Sequence, residues 1–188
     1  MRRSFRILIA VAIACAAACP AAAQVSTGAP LCEGRYFVCY ADKGIDAYQV
    51  LSKLDFNYVS LDGSGRGKNG DDVASTLARA LDGLYQAVSD ILDIHIYSYK
   101  GTIQVVADQP ALAKLLKKRF SLDFAERSIY YHEGNTIYIS ARDMTAGMLG
   151  HEMGHAIISH FFIVPPPPKV QEVLCGYVEY SLRKNYPR

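Results

Sequence analysis

The chain lacks an excess of charge of either sign. Its 188 residues include twenty Lys and Arg against eighteen Asp and Glu. Proteins that bind nucleic acid or an acidic membrane surface usually carry a basic patch or tail. The even balance therefore gives no reason to expect either partner, and we predict no nucleic-acid binding.

Long apolar runs are also scarce, and the one present stands at the N-terminus. Ile7 to Cys19 is uncharged, three arginines precede it, and Ala21 to Ala23 supply the small residues of a signal-peptidase site. The run is shorter than the roughly 20 residues of a membrane span. We predict that residues 1–23 are a signal peptide and that the mature chain begins at Gln24, periplasmic or secreted, with no stable membrane insertion. An uncleaved anchor is the alternative.

Cysteine is sparse once the signal peptide is removed. Of five cysteines, Cys32, Cys39 and Cys175 remain. In an oxidising compartment Cys32 and Cys39 are predicted to form a local disulfide, with two free thiols as the alternative. Cys175 lies in an apolar helical pattern and is predicted to be a small buried hydrophobe.

Phosphate-binding motifs are absent despite a glycine-rich stretch over residues 62–70. A phosphate loop would need Gly at position 62 and Ser or Thr at position 69, where this chain has Asp62 and Asn69. The stretch is predicted to be a flexible connection. It separates an N-terminal segment, 24–70, from a core domain, 71–188.

The hydrophobic periodicity predicts alternating strands and helices. Strands are predicted over 36–40, 56–61 and 102–107, with a hairpin formed by 128–132 and 136–140. Helices are predicted over 46–54, from Asp71 or Asp72 to Asp93, over 110–120, from a cap at Ser140 or Asp143 to Phe162, and after the four prolines Pro165 to Pro168. The predicted fold class is α+β, with a small mixed or antiparallel sheet, one backing helix and two further helices.

The helix after the hairpin contains His151-Glu152-Met153-Gly154-His155. Residues four apart lie one turn above each other, so His151 and His155 can offer imidazole nitrogens to one metal ion. Glu152 is rotated off that line, which suits a base rather than a ligand. The pattern predicts a zinc site of a metallopeptidase.

A catalytic zinc site needs a third protein ligand. His160 points away from the face of the two histidines, and the third His of the long metzincin motif is absent. In the next helix Val170, Val173, Leu174, Tyr177, Val178 and Leu182 form an apolar stripe, with Glu172 and Glu179 on the other face. Glu172 is the predicted third ligand, and Glu179 is the alternative ligand or a partner of a zinc-binding histidine.

The hairpin, the His-Glu-x-x-His helix and a second helix bearing Glu172 after sixteen intervening residues resemble the gluzincin clan of zinc peptidases, in particular the single-domain minigluzincin type. The resemblance implies that His151, His155 and Glu172 bind Zn²⁺ and that Glu152 is the general base. It also implies that a peptide substrate lies along an edge strand, Thr136 to Ser140 or its hairpin partner.

Two features depart from that family. Lys169-Val170-Gln171 stands where members often have Trp before the ligand Glu, and Val173 stands where Gly often follows. Tyr177, Tyr180 and His160 are the candidates for an oxyanion-stabilising role. Two other functions stay open: a zinc-binding interaction module that cleaves nothing, and a latent peptidase whose cleft is covered.

Glycines also recur at helical spacing on the metal helix. Gly147, Gly150 and Gly154 weaken a helix by roughly 1 kcal/mol each relative to Ala, so their placement predicts that another backbone packs closely there.

Overall fold

The computed structural model describes residues 28–54, 72–121 and 123–185. The predicted signal peptide, the predicted strand over 56–61 and the glycine-rich stretch 62–70 lie outside these residues.

The described part of the chain combines one five-stranded sheet with five helices, which confirms the predicted α+β class. The strands are β1 (Cys32–Glu33), β2 (Phe37–Ala41), β3 (Gly101–Val106), β4 (Ser128–Tyr131) and β5 (Thr136–Ser140). The helices are α1 (Ala47–Leu51), α2 (Val73–Leu92), α3 (Gln109–Phe120), α4 (Ala146–Phe161) and α5 (Pro168–Asn185). None of these helices is long and apolar enough to cross a membrane.

The strands form one mixed sheet in the order β1-β2-β3-β5-β4. The central strands β2, β3 and β5 are parallel, and the outer strands β1 and β4 pair antiparallel. All five residues of β5 are buried, because its apolar side chains need cover on both faces. Thr136 to Ser140 is therefore an interior strand, so the first of the two alternatives predicted for the edge strand is wrong. Its hairpin partner β4, the second alternative, lies at one edge of the sheet that the described residues form, and β1 lies at the other.

Helix α2 backs the sheet and has sharply defined ends. The Asp72 carboxylate accepts a hydrogen bond from the Ser75 backbone N–H, and Asp93 ends the helix in the left-handed conformation at φ 54°. Midway along the helix, Asp82 accepts the backbone N–H groups of Arg35 and Tyr36 at 2.8 and 3.0 Å. This contact fixes the turn between β1 and β2 against the core. The described part of the N-terminal segment thus forms the sheet edge opposite β4.

Helix α4 begins at a residue that the sequence did not single out. The Thr145 hydroxyl accepts the Met148 N–H at 3.1 Å and caps the helix, so the predicted caps Ser140 and Asp143 are wrong. Ser140 is the last residue of β5, and its hydroxyl donates to the Asp143 carboxylate at 2.7 Å. Those two side chains shape the connection between strand and helix instead.

Helix α5 packs back against the glycine stripe of α4, as the spacing of the glycines predicts. A methyl group at Gly154 would lie 3.0 Å from Cys175 Sγ, and one at Gly147 would lie 3.0 Å from Glu179 Cγ. At Gly150 it would collide with the Leu182 side chain. The absence of side chains at these positions lets α5 approach closely enough to place its carboxylates beside α4.

The face that α5 buries differs from the predicted one. Cys175, Val178 and Leu182 are buried, whereas Val173 and Tyr177 of the predicted inward stripe are 71% and 58% exposed. Because the glycines of α4 bring α5 close, the face of α5 that packs there is the one that carries the small Cys175 side chain. Glu172 and Glu179 then flank this face and do not lie opposite it.

Candidate metal centre

The two histidines of α4 converge as the one-turn spacing predicts. His151 Nε2 and His155 Nε2 lie 3.2 Å apart, and both side chains are only partly buried. They face a cavity of about 840 Å³ between α4, α5 and the start of the hairpin. A ligand could reach both nitrogens from this cavity.

Helix α5 places the Glu172 carboxylate against both histidines. Glu172 Oε2 lies 3.4 Å from His151 Nε2, and Oε1 lies 3.3 Å from His155 Nε2. In a tetrahedral zinc site with bonds of about 2.0–2.1 Å, neighbouring ligand atoms are about 3.3–3.4 Å apart. The three side chains therefore have the donor types and the spacing that a zinc ion needs.

The buried thiol of Cys175 lies close to the same two histidines. Ligand atoms of His151, His155 and Cys175 are all within 4.8 Å of one another, and this group could hold a metal ion. Cys175 is fully buried, as predicted, one turn after Glu172 on α5. Burial, assisted by the charges of Glu152 and Glu172, raises the pKa of Cys175 to about 12. Nothing in the sequence pattern around Cys175 placed it among the candidate ligands.

The outer ring nitrogens of both histidines face polar side chains of α5. Gln171 donates its amide N–H to the Pro166 carbonyl at 2.8 Å, which turns Gln171 Oε1 toward His155 Nδ1 at 3.4 Å. An acceptor at Nδ1 favours the tautomer whose proton is on Nδ1 and whose Nε2 lone pair is free to bind a metal. The connection between α4 and α5, which contains the Pro166 carbonyl, therefore orients His155 through Gln171.

Glu179 approaches the outer ring nitrogen of His151 without forming a hydrogen bond to it. Its Oε2 lies 3.8 Å from His151 Nδ1, a buried nitrogen with no hydrogen-bond partner. Glu179 thus approaches the outer nitrogen and not Nε2, the nitrogen that faces Glu172. Of the two candidate carboxylates, Glu172 is therefore the one that lies beside both Nε2 atoms.

Glu152 is buried and held by the hairpin. Its Oε1 accepts the Ser128 hydroxyl at 2.8 Å, and the Tyr130 backbone also hydrogen-bonds to it. Burial raises the pKa of Glu152, and the Ser128 hydrogen bond and the nearby His155 oppose that rise. The net effect is a carboxylate more basic than an exposed one, in a position fixed by the edge strand β4.

The raised pKa makes the stability of the metal-free protein depend on pH. A buried carboxyl with a raised folded pKa stabilises the fold fully below its unfolded value, 4.5, and this contribution is lost as pH rises through the folded pKa. We expect Glu152→Gln to remove this pH-dependent loss of stability, because an amide does not titrate. Above pH 4.5 the metal-free variant should become progressively more stable than wild type, by about 1.4 kcal/mol for each unit of the pKa shift.

Urea unfolding of both metal-free proteins between mildly acidic and neutral pH measures this difference. Two stability curves that stay parallel across the range would contradict the assignment of a raised pKa to Glu152.

The remaining sequence candidates lie elsewhere. His160 Nδ1 bonds the Ala156 carbonyl at 2.9 Å, and its ring contacts Tyr99, so it does not join the metal histidines. Tyr177 and Tyr180 are more than half exposed and do not line the cavity. Ser128 and Gln171 are the residues that sequence reasoning missed, since each acts through a partner that is 24 or 16 residues distant.

Cys32 and Cys39 are directly opposite each other on β1 and β2. Both are buried free thiols in the structure, so the predicted disulfide is not formed there. The Cys32 thiol, together with burial, raises the pKa of Cys39. Their facing positions would let oxidation join them, and the disulfide stays a prediction.

In comparisons with protein-family models, curated proteins and solved structures, none matches this chain. Any functional assignment therefore depends on the residues of the site.

Proposed function

We propose that this protein is an exported zinc peptidase in which His151, His155 and Glu172 bind the ion and Glu152 is the general base. The observation that carries the proposal is the spacing of 3.2 to 3.4 Å among the nitrogen and oxygen atoms of these three side chains. Two neutral imidazoles and one carboxylate with an open fourth position are a donor set of catalytic zinc sites. The gluzincin-like order of these residues in the sequence supports the same assignment.

A zinc ion in this site would supply a Lewis acid that polarises a carbonyl and lowers the pKa of water to about 7. Glu152 accepts the proton of the attacking water and returns it to the nitrogen of the departing amine. The Ser128 hydroxyl and the Tyr130 backbone hold the carboxylate for both transfers. Burial favours the first transfer because it makes the carboxylate more basic.

The substrate is proposed to be an extended peptide along β4. Among the described residues this strand lies at an edge of the sheet, and Ser128, Ile129 and Tyr130 line the cavity. An extended peptide can add its backbone hydrogen bonds to such an edge. The Tyr130 backbone contact with Glu152 places that edge beside the general base.

The test uses the chain from Gln24, which retains every described element. Zinc content is measured, and the protein is incubated with an unbiased peptide mixture before and after chelation. We expect about one zinc per chain, cleavage that disappears when zinc is removed, and recovery when zinc is returned. Cleavage that persists in zinc-free protein would exclude the mechanism, and a chain that binds no zinc would exclude the site.

Cys175 favours a second candidate function. If its thiolate joined His151, His155 and Glu172, the ion would have four protein ligands and no open position. Closed zinc sites of this kind are structural, so the protein would then be a zinc-stabilised interaction module. Zinc binding without cleavage of any peptide in the mixture would support this reading.

A further inference from the structure

Exposed apolar side chains are concentrated in one part of the described structure. Of its eleven exposed large hydrophobic side chains, eight lie between Phe161 and Tyr180. We call this set the apolar ridge: Phe161, Phe162, Ile163, Val164, Val170, Val173, Tyr177 and Tyr180. Ile163 is 102% exposed and Val164 is 82% exposed, so the described residues give these two side chains almost no cover. Patches of this kind mark interaction surfaces.

The ridge has a tip and a stripe. The tip is the connection between α4 and α5, where four consecutive apolar residues precede the prolines. The stripe runs along α5, where Val170, Val173, Tyr177 and Tyr180 recur at steps of three, four and three. Such steps keep side chains on one face of a helix. That face is opposite the one buried against α4.

The charges beside the ridge are basic. No carboxylate occurs in the sequence between Glu152 and Glu172, whereas Lys169 stands at the start of the stripe and Lys184 continues it by a step of four. Glu172 and Glu179 turn toward the metal histidines. The even charge of the whole chain therefore conceals a local apolar and basic surface.

We propose that the apolar ridge binds peripherally to an anionic lipid bilayer, with Ile163 and Val164 entering the headgroup region. Helices that lie in this region combine an apolar face with lysines at its border, and tyrosines suit the boundary between acyl chains and water. The tip projects into solvent, whereas the core of a protein interface is complementary in shape and depleted in lysine. These features favour a bilayer over a second copy of the chain.

Membrane binding would also position the metal cavity. Pro165, which follows the tip directly, lines that cavity, and Pro166 accepts the Gln171 N–H. The cavity therefore opens next to the proposed bilayer surface. If the proposed peptidase function holds, its substrates are peptide segments exposed close to a membrane, whereas the binding itself needs neither zinc nor cleavage.

The test is co-sedimentation of the chain from Gln24 with vesicles of phosphatidylcholine, alone or with one third phosphatidylglycerol. We expect wild type to bind the anionic vesicles. Replacing Ile163 and Val164 together by Asp should lower the partition coefficient by about tenfold or more. Lys169→Gln should lower it by about fivefold for anionic vesicles only. Tyr97→Asp is the matched control, since Tyr97 is 68% exposed outside the ridge, and it should bind as wild type does.

Circular dichroism on each variant verifies that its fold is retained. A wild type that does not sediment with vesicles overturns the proposal, as does a ridge variant that binds as well as the Tyr97→Asp control. Sedimentation velocity measures whether the protein is a dimer. If wild type does not bind vesicles but forms a dimer that the Ile163 and Val164 double variant does not form, the apolar ridge is an interface with a second copy of the chain, and the proposal of bilayer binding is overturned.

Discussion

Glu152→Gln is expected to retain zinc and to lose peptide cleavage by roughly 100-fold to 10,000-fold, the usual contribution of a positioned general base. The amide has nearly the same shape and can still accept the Ser128 hydroxyl through its oxygen. It cannot accept the proton of the attacking water. Because Glu152 is not among the groups at ligand distance, zinc content should stay at the wild-type value.

Glu133→Gln is the matched control for this variant. Glu133 is exposed in the turn between β4 and β5 and does not line the cavity, so the same chemical change there should leave cleavage unaltered. Zinc content and initial rates are measured on the same samples of all three proteins. A Glu152→Gln protein that keeps its zinc and cleaves at the wild-type rate would show that Glu152 is not the base.

The second large effect is expected on zinc affinity when Glu172 is replaced, and we compare it with replacements of Glu179 and Cys175 on the same helix. Glu172→Gln replaces an anionic ligand by a neutral amide, and we expect the largest loss of zinc affinity of the three variants. Glu179→Gln should weaken binding by about 10-fold to 100-fold, the usual cost of losing a carboxylate that supports a ligating histidine. Cys175→Ser should bind zinc as wild type does if the thiol is no ligand.

Competition with a chromophoric chelator measures the three affinities, and cobalt substitution tests for sulfur directly. A sulfur-to-cobalt charge-transfer band that disappears in Cys175→Ser would show that the thiol binds the metal. Loss of zinc in both Glu172→Gln and Cys175→Ser would establish a closed four-ligand site and favour the interaction module over the peptidase. If Glu179→Gln lost more zinc than Glu172→Gln, the roles of the two carboxylates would be exchanged.

Features set by near neighbours in the chain could be predicted well. Helix α2 begins after Asp72 and ends before Asp93 because its capping hydrogen bonds join residues three to five apart. The pairing of His151 and His155 is equally local, since one helical turn separates them. The hairpin of β4 and β5 follows from two β-rich runs and a short glycine turn.

Features that depend on distant residues were predicted incompletely or not at all. The sequence pattern of β5 does not reveal whether β3 pairs beside it, so the edge strand stayed ambiguous between β4 and β5. Similarly, the choice of Ser128 as the partner of Glu152 requires that the hairpin pack across α4. The role of Gln171 requires that the proline loop present the Pro166 carbonyl to its amide.

By itself, the sequence determined most of the order of strands and helices, the pair of histidines on one helical face and the carboxylate between them, because these follow from the periodicity of the backbone. The tertiary structure decided which strand of the hairpin lies at the edge of the sheet, which carboxylate lies beside both Nε2 atoms of the histidines, and that Cys175 lies close to them. It also turned Val170, Val173 and Tyr177 outward. The reason is that periodicity fixes which side chains share a face, whereas the neighbour that packs against that face, here the glycine stripe of α4, fixes where it points.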